Sequence, residues 1–257
     1  MRRSVESSRS TGLVRLNKFL ASAGVASRRK ADELILSERV KINGEPVATL
    51  GVKIDPAVHK VFVDGKQVAL LDERVYIIFN KPKDCITTAR DERGRTTVMD
   101  YVRVKQRVFP IGRLDRDTTG VLLLTNDGEL ANGLMHPKHK INKAYKVTLD
   151  KALRPEDADR LVKGVRLADG MTAPAEVHYV SPGKNKVIGI AIHEGRNRQV
   201  HRMFESLGYA VEKLDRVAYG DLSYEGLKRG EWRYLTKSEV RNLKEKMMME
   251  NPLEAEL

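Results

Sequence analysis

The chain has 257 residues, 41% of them hydrophobic and 32% charged, which is enough material for one large domain or two smaller ones. No stretch approaches the roughly 20 apolar residues of a membrane span, and the basic N-terminus precedes no apolar segment typical of a secretory signal. The single cysteine, Cys85, excludes an internal disulfide and favours a reducing cytoplasm, and the net charge of +12 indicates a polyanionic partner.

The positive charge is concentrated near the N-terminus. Residues 1–41 carry ten cations and four anions, so about a sixth of the chain holds half of its excess charge. Residues 1–12 are rich in serine and arginine and have no apolar periodicity, which predicts a disordered basic tail.

Residues 13–70 show the pattern of a small α/β unit. Apolar residues at helical spacing predict two short helices, separated by Gly24 as a helix-ending residue and Ser27 as an N-cap. Two turn signals, Asn43-Gly44 and Asp64-Gly65, lie between alternating apolar residues and predict two hairpins. The helix positions are Leu16, Phe19, Leu20 and Ala23 for the first helix, and Ala31, Leu34 and Ile35 for the second.

Arg28, Arg29 and Lys30 occupy the first turn of the predicted second helix, where the helix dipole favours anions. Three cations there destabilise a bare helix, but the free N–H groups of a helix N-terminus also bind phosphate. A broken local rule of this kind is typical of a functional position. The alternative is a solvated basic surface; we expect phosphate contact.

The segment V-R-L-N-K-F-L-A-S-A-G-V-A-S-R-R-K-A-D-E-L-I, continued by V-K-I-N-G, resembles the S4-like RNA-binding domain over about residues 14–60. The resemblance implies RNA binding without implying a particular reaction. The cations it assigns to RNA contact are Arg15, Lys18, Arg28, Arg29 and Lys30.

A second domain is predicted over residues 73–246, after a linker near residues 69–74 and before a C-terminal tail at 247–257. Strand patterns outnumber helix patterns and do not alternate strictly with them, which predicts an α+β fold with a mixed, mostly antiparallel sheet. The strand candidates are Y-I-I-F, V-F-P-I, V-L-L-L-T, A-Y-K-V-T-L, A-E-V-H-Y-V and V-I-G-I-A-I. The helix signals are Asp127, Pro155 with Gly164, the face formed by Val200, Met203, Phe204 and Leu207, and Thr236 with Glu239.

The segment G-R-L-D-R-D-T-T-G, residues 112–120, is predicted to be a loop between two strands. Asp115 and Asp117 lie beside Arg113 and Arg116, and neighbouring cations favour ionised carboxylates, so one aspartate could act as a nucleophile or base. Asp, Thr and Gly are also common turn formers, so the pattern alone leaves a structural loop open.

That loop, followed by V-L-L-L-T-N, resembles the active-site motif of the pseudouridine synthases that modify ribosomal RNA, in the branch that carries an S4-like domain. Other blocks agree in order: F-N-K-P, K-A-Y-K-V, E-G-R-N-R-Q-V-H-R-M-F-E-S-L-G-Y and L-D-R-V. The resemblance spans about residues 14–245. Within the family, the pattern looks closest to the enzymes of B type that act on large-subunit ribosomal RNA, with small-subunit and tRNA enzymes as alternatives.

The resemblance implies that a flipped-out uridine enters a pocket and is isomerised to pseudouridine. Asp115 would be the catalytic carboxylate, and Tyr145 would pack against the base and assist proton transfer. The substrate-binding residues implied are Lys81, Arg113, Arg198, His201, Arg202, Leu214 and Arg216, and Asp117 is expected to bond loop N–H groups. No metal or other cofactor is implied, and three scattered residues, Cys85, His136 and His139, are weak evidence for a zinc site.

His201 departs from the family pattern, which usually has arginine or lysine there to pair with the catalytic aspartate. If His201 takes that role it must be protonated, which would make activity depend on pH near neutrality. The alternatives are that Arg198 or Arg202 substitutes, all three projecting from one side of a helix, or that His201 only packs.

Two other function classes remain open from the residues alone. One is an RNA-binding assembly factor that has lost catalysis, and the other is a glycoside hydrolase that uses Asp115 and Asp117 as a carboxylate pair. The expected partner is ribosomal RNA, free or in a precursor particle, bound by a monomeric chain without membrane association.

Overall fold

The computed structural model describes residues 12–70, 73–89, 91–180 and 185–248. The chain divides into two compact units between Arg74 and Val75, each with its own buried apolar core. Most of the two predicted tails, 1–12 and 247–257, and two residues of the predicted linker lie outside the described residues.

The N-terminal unit packs two helices against short strands around one apolar core. Its strands β3, β2, β5 and β6 form a sheet in that order, and β1 pairs with β4. These elements are β1 (Val14–Arg15), α1 (Leu16–Ser22), α2 (Arg28–Leu36), β2 (Val40–Ile42), β3 (Glu45–Pro46), β4 (Lys53–Ile54), β5 (Val61–Val63) and β6 (Lys66–Val68).

The predicted helix cap, helix-ending glycine and hairpin turns of this unit are present in the structure. Gly24 has a φ of 78° directly after the cap of α1, and the Ser27 hydroxyl accepts a hydrogen bond of 3.2 Å from the Lys30 N–H at the start of α2. Both hairpin turns have their residues at positive φ, as Asn-Gly and Asp-Gly turns require. Since α1 ends at Ser22, Ala23 caps the helix instead of extending it.

The second unit is α+β, as predicted, with a nine-stranded mixed sheet and helices on both faces. Its N-terminal elements are β7 (Tyr76–Lys81), α3 (Val98–Tyr101), β8 (Phe109–Ile111), β9 (Thr119–Thr125), α4 (Gly128–Met135), a 3₁₀ turn (Pro137–His139), β10 (Lys143–Leu149) and α5 (Pro155–Lys163). They are followed by β11 (Arg166–Leu167), β12 (Gly170–Met171), β13 (Glu176–Tyr179), β14 (Val187–Ile192), α6 (Gln199–Glu205), β15 (Val211–Tyr219), β16 (Leu222–Ser223), β17 (Trp232–Tyr234) and α7 (Lys237–Met248).

The strand order is β13-β14-β10-β15-β9-β7-β17, with β8 beside β9 and β16 beside β15. The strand pairs of this sheet are antiparallel except β15 with β9, which run parallel at Asp215–Thr119 and Arg216–Gly120. This parallel pair joins the two antiparallel halves of the sheet, and the candidate site lies beside it.

Both faces of the sheet are covered, so its central strands are buried on both sides. Ile77 and Phe79 of β7 lie in the core that contains α3, α5 and α6 residues, while Ile78 lies in the core that contains α4 and α7 residues. Coverage of both faces explains why V-L-L-L-T in β9 is a continuous apolar run, since no residue in it faces solvent.

One helix and several strands were not predicted from the sequence: α3, β1, β4, β11, β12, β15, β16 and β17. Strand β15 carries Glu212, Lys213, Asp215 and Arg216, and this charge hides the alternation that a strand normally shows. Helix α3 has four residues and is defined by a capping box between Thr97 and Asp100, too short for a periodic pattern. In addition, α7 continues to Met248, two residues past the predicted end of the domain.

Candidate active site

A cavity of about 390 Å³ lies among the loop before β9, the loop before α6, and strands β10 and β15. Its volume is in the range of pockets that bind small ligands. Six of the nine residues predicted for catalysis or substrate binding line it: Arg113, Asp115, Tyr145, Arg198, His201 and Leu214.

The loop that carries Asp115 connects two paired strands, β8 and β9. Gly112 starts it at a φ of 70°, and Thr118 N–H donates a hydrogen bond of 3.2 Å to the Asp115 carbonyl, which closes a turn. Gly120 ends it where β9 meets β15: a Cβ there would lie 2.2 Å from the Arg216 carbonyl oxygen. The close approach of these strands therefore requires glycine at position 120.

Lys81 stabilises this loop by binding its main-chain carbonyls, an interaction called the brace below. Its side chain is fully buried, and the three N–H groups of Nζ are shared among four main-chain carbonyls. These are Asp115 at 3.0 Å, Arg116 at 3.3 Å, Thr118 at 2.8 Å and Pro82 at 3.1 Å. Lys81, predicted to bind substrate, does not line the cavity, and its donors are engaged with the loop. Burial lowers the pKa of Lys81 to about 8.

The segment after Lys81 holds the outer side of the loop. Asp84 N–H donates to the Arg116 carbonyl at 2.9 Å, and Arg116 pairs with the Asp84 carboxylate at 2.9 Å. Thr87 exchanges hydrogen bonds with the main chain of Leu114. The main chain of Asp115 is thus fixed on two sides, while 34% of its side chain remains exposed.

Arg198 is the cation that faces the carboxylate. Its Nη1 lies 3.6 Å from Oδ2 of Asp115, and its left-handed conformation, with a φ of 44°, places it ahead of α6 rather than within it. Arg202 instead pairs with Asp169 at 3.0 Å and donates to the Asn197 carbonyl at 2.8 Å. The prediction that Arg198, His201 and Arg202 project from one side of a helix is therefore wrong, since Arg198 precedes α6. Arg202, predicted to bind substrate, does not line the cavity.

A hydrogen-bonded network that was not predicted from the sequence holds the loop in which Arg198 lies. Gln199 donates to the Glu194 carboxylate at 2.6 Å, and Arg196 pairs with the same carboxylate at 2.9 Å. Arg196 also donates to the Met171 carbonyl at 2.6 Å, which ties the loop to the β11–β12 hairpin. The sequence did hold a clue to this network, because all three polar residues belong to the block E-G-R-N-R-Q.

The opposite wall of the cavity is apolar. Tyr145 on β10 is 9% exposed and pairs with Ile190 of β14, and Leu214 on β15 pairs with Val147 of β10. The cavity therefore has a charged side, formed by Asp115 and Arg198, and an apolar side. This arrangement suits a flat ligand that has apolar faces and polar edges.

Arg216 does not line the cavity. It is 3% exposed, its Nε donates to the Val121 carbonyl at 2.7 Å, and its guanidinium lies 5.3 Å from the centre of the Tyr219 ring. Arg216, predicted to bind substrate, instead turns toward β9 and is bonded inside the sheet.

Comparison with known proteins identifies the family. A family model described as RNA pseudouridylate synthase matches residues 75–206, and a model of the S4 domain matches residues 14–57. The chain belongs to the RNA pseudouridylate synthase family. Its N-terminal unit is an S4 domain, and the enzyme class predicted from the motifs is confirmed.

Several relatives resemble this pseudouridine synthase over most of their length. The ribosomal large subunit pseudouridine synthase B of Bacillus subtilis is 49% identical over 90% of this chain and 95% of its own. The dual-specificity RNA pseudouridine synthase RluF of Escherichia coli is 37% identical over 90% of this chain and 78% of its own. A solved structure of a pseudouridylate synthase matches 90% of this chain and 99% of its own, with 33% identity and a TM-score of 0.66.

His201 is buried at 6% exposure in the first turn of α6. Within the described residues, neither ring nitrogen has a hydrogen-bond partner, and Nδ1 is closed to solvent. Burial and the positive charge of Arg198 lower the pKa of His201 below its ordinary value of 6.5, so the ring is neutral at neutral pH. Its pairing with Asp115 as an imidazolium is therefore not favoured.

Asp117 is exposed and does not line the cavity. In the described part of the chain it accepts no hydrogen bond, so the prediction that it bonds loop N–H groups is wrong. The loop is instead held by its carbonyl groups, which sequence patterns do not reveal.

The remaining candidates for chemistry fall outside this site. Cys85 is buried without a disulfide, and burial raises the pKa of its thiol. Across the described residues, no group of histidine, cysteine, aspartate and glutamate side chains has a geometry that could hold a metal ion. No helix in the same residues is long and apolar enough to cross a membrane.

The cations predicted to contact RNA lie on the surface of the S4 domain. Arg28 and Arg29 are exposed in the first turn of α2, and Lys30 beside them forms an ion pair with Glu33. Arg15 and Lys18 are exposed at the start of α1. The first turn of α2 contains no acidic residue, so its N-terminus presents concentrated positive charge.

Proposed function

We propose that this pseudouridine synthase isomerises a uridine of large-subunit ribosomal RNA, with Asp115 as its nucleophile. The observation that carries the proposal is the position of the Asp115 carboxylate, which lies in the cavity wall on a braced main chain with Arg198 3.6 Å away. Tyr145 and Leu214 form the wall against which a flipped base would stack.

In the proposed reaction, the uridine leaves its RNA stack and enters the cavity, as required of enzymes that act on a base. Asp115 promotes cleavage of the bond between N1 and C1′, and the bonding electron pair leaves with the uracil. The uracil turns and forms a new bond from C5 to C1′, after which C5 loses its proton and N1 gains one. No atom is added overall, so the chemistry requires no cofactor.

The substrate assignment is supported by two relatives that carry the name ribosomal large subunit pseudouridine synthase B. They come from Bacillus subtilis and Vibrio cholerae and are 49% and 39% identical over 90% of this chain. The exposed cations at the start of α2 suit phosphates of a structured RNA. The proposal includes a cytoplasmic monomer that acts on ribosomal RNA, free or in a precursor particle.

The test is release of tritium from RNA labelled at C5 of uridine, because only bond formation at C5 frees that hydrogen. Wild type and Asp115→Asn are compared on large-subunit rRNA, small-subunit rRNA and tRNA, each protein-free, and on ribosomal precursor particles. We expect release by wild type from large-subunit rRNA and none by the variant. Release from another RNA class would overturn the substrate, and no release from any RNA or particle would favour an RNA-binding protein without catalysis.

A further inference from the structure

His201 has an uncommitted polar group inside the catalytic cavity. It lines the cavity, is 6% exposed, and makes no hydrogen bond from either ring nitrogen within the described residues. Buried polar groups nearly always have partners, because an unpaired one loses its bonds to water without replacement. A buried imidazole that lacks a protein partner and lines a ligand cavity points to a partner supplied by the ligand.

The charged and polar side chains that flank His201 along the chain already have partners. Arg198 faces Asp115, while Glu194, Arg196 and Gln199 bond to one another and to main chain. The carboxylate therefore has its cation without His201. This leaves the imidazole available to the substrate.

The two ring nitrogens differ in their surroundings. Nδ1 is closed to solvent and has no partner, whereas Nε2 is not among the atoms closed off in this way. We assign the single proton of the neutral ring to Nε2, because an N–H group enclosed at Nδ1 would lose a hydrogen bond outright. His201 thus offers a neutral N–H donor toward the cavity.

We propose that Nε2–H of His201 donates a hydrogen bond to a carbonyl oxygen of the flipped uracil, which makes His201 a specificity-determining residue of this enzyme. The inference rests on the proposed function. Uracil has two carbonyl acceptors, O2 and O4, and a neutral donor suits an uncharged base better than a cation would. A site built to donate to a carbonyl rejects an analogue that lacks the acceptor, since the donor is then left unpaired.

The experiment replaces the acceptor and the donor in turn. RNA fragments that contain the mapped uridine are prepared with oxygen, with sulfur at position 2, or with sulfur at position 4, because sulfur is the weaker acceptor. Tritium release from C5 gives kcat/KM for wild type, His201→Phe, which keeps a flat ring without a donor, and His201→Gln, which keeps an N–H donor. Thermal melting followed by circular dichroism checks that each variant is folded.

We expect one sulfur substitution to lower kcat/KM of wild type by about five- to tenfold, as the loss of one hydrogen bond does. The same substitution should change His201→Phe by less than about twofold, since the donor is already gone. His201→Gln should regain part of the sensitivity, which a purely packing role would not produce.

Equal losses in wild type and His201→Phe for both sulfur substitutions would overturn the inference, because the carbonyls would then be recognised without His201. Failure of the proposed function is distinguishable, since wild type would then release no tritium even from the unmodified RNA. If His201 instead bonds a phosphate, the inference is also overturned. In that case His201→Phe lowers kcat/KM by the same factor on all three RNAs.

Discussion

Lys81 Nζ donates a hydrogen bond of 3.0 Å to the main-chain carbonyl of Asp115, 34 residues later in the chain. The proposed nucleophile is therefore positioned by a buried ammonium group that never reaches the cavity. Because burial lowers the pKa of Lys81 to about 8, the brace titrates in an accessible pH range.

Lys81→Met should lower the free energy of unfolding of the catalytic unit by about 1–3 kcal/mol at neutral pH, since buried loop carbonyls lose their donor. Between about pH 8 and 10.5, unfolded wild type holds a proton on Lys81 that folded wild type has released. The stability advantage of wild type over Lys81→Met should therefore grow with pH in that window and be constant below it. Urea unfolding followed by fluorescence of Trp232, the single tryptophan, measures the difference.

Lys163→Met removes an exposed lysine at the end of α5 and serves as the control for this comparison. Its unfolding curve at neutral pH should match that of wild type. A difference in free energy of unfolding between wild type and Lys81→Met that stayed the same from pH 7 to 10 would contradict this prediction. It would mean that folding does not lower the pKa of Lys81.

The two aspartates of the loop should behave differently. Asp115→Asn should lower kcat by about 1,000-fold or more, the scale expected when a nucleophile or base is removed. Asp117→Asn should stay within about threefold of wild type, because Asp117 is exposed and outside the cavity wall. Tritium release from C5 gives both rates, and comparable losses in the two variants would instead support a carboxylate pair.

Arg198 and Arg202 form a matched pair of arginines near α6. Arg198→Ala should lower kcat by about five- to tenfold, because the 3.6 Å pair with Asp115 is partly exposed and worth about 1 kcal/mol. Arg202→Ala removes the ion pair with Asp169 and should affect melting rather than kcat. Single-turnover rates, measured well below the melting temperature of each variant, separate the two; equal kcat losses would contradict the assignment.

The pH profile depends on the sign of the His201 shift. Burial and Arg198 lower its pKa, and they outweigh Asp117, Asp115 and Glu205, which raise it. Acidification below pH 6.5 should therefore first leave the rate unchanged and then decrease it, as the ring becomes a cation beside Arg198. His201→Gln should lack this decrease. A rate that increases toward pH 6 in wild type and not in His201→Arg would instead support an imidazolium paired with Asp115.

Phosphate binding at the S4 domain predicts a salt effect. Replacing Arg28 and Arg29 by alanine should weaken RNA binding and reduce the slope of log affinity against log salt by about 0.7–0.9 for each phosphate that is no longer neutralised. Lys163→Ala with Lys237→Ala removes the same charge from exposed positions of the catalytic unit. Filter-binding titrations at several salt concentrations compare the variants, and equal slopes in both doubles would remove α2 from the RNA interface.

Much of the fold follows from local signals in the sequence. Ser27 and Thr236 cap helices as predicted, and Asn43-Gly44 turns a hairpin, because each depends on residues only a few positions apart. Strand β15 was missed because its identity depends on neighbours distant in sequence. The charge of Asp215 is satisfied by Arg229, which no local pattern could indicate.

The candidate site could likewise be predicted only in part. Motifs identified Asp115, Tyr145 and Leu214, which do line one cavity. The motifs could not show whether Lys81 contacts the substrate or supports the loop. A lysine occupies the motif position in either case. Likewise, the position of Arg198 depends on a backbone conformation, a φ of 44°, that the sequence does not display.

The parallel pairing of β15 with β9 also affects when the cavity can form during synthesis. Thr119 and Asp215 are 96 residues apart, so the Leu214 wall and the Asp115 loop meet only after the chain has been synthesised well past both. At about 5–20 residues per second, translation of that interval takes about 5–20 s. A nascent chain that ends before β15 therefore carries the Asp115 loop without the Leu214 wall of the cavity.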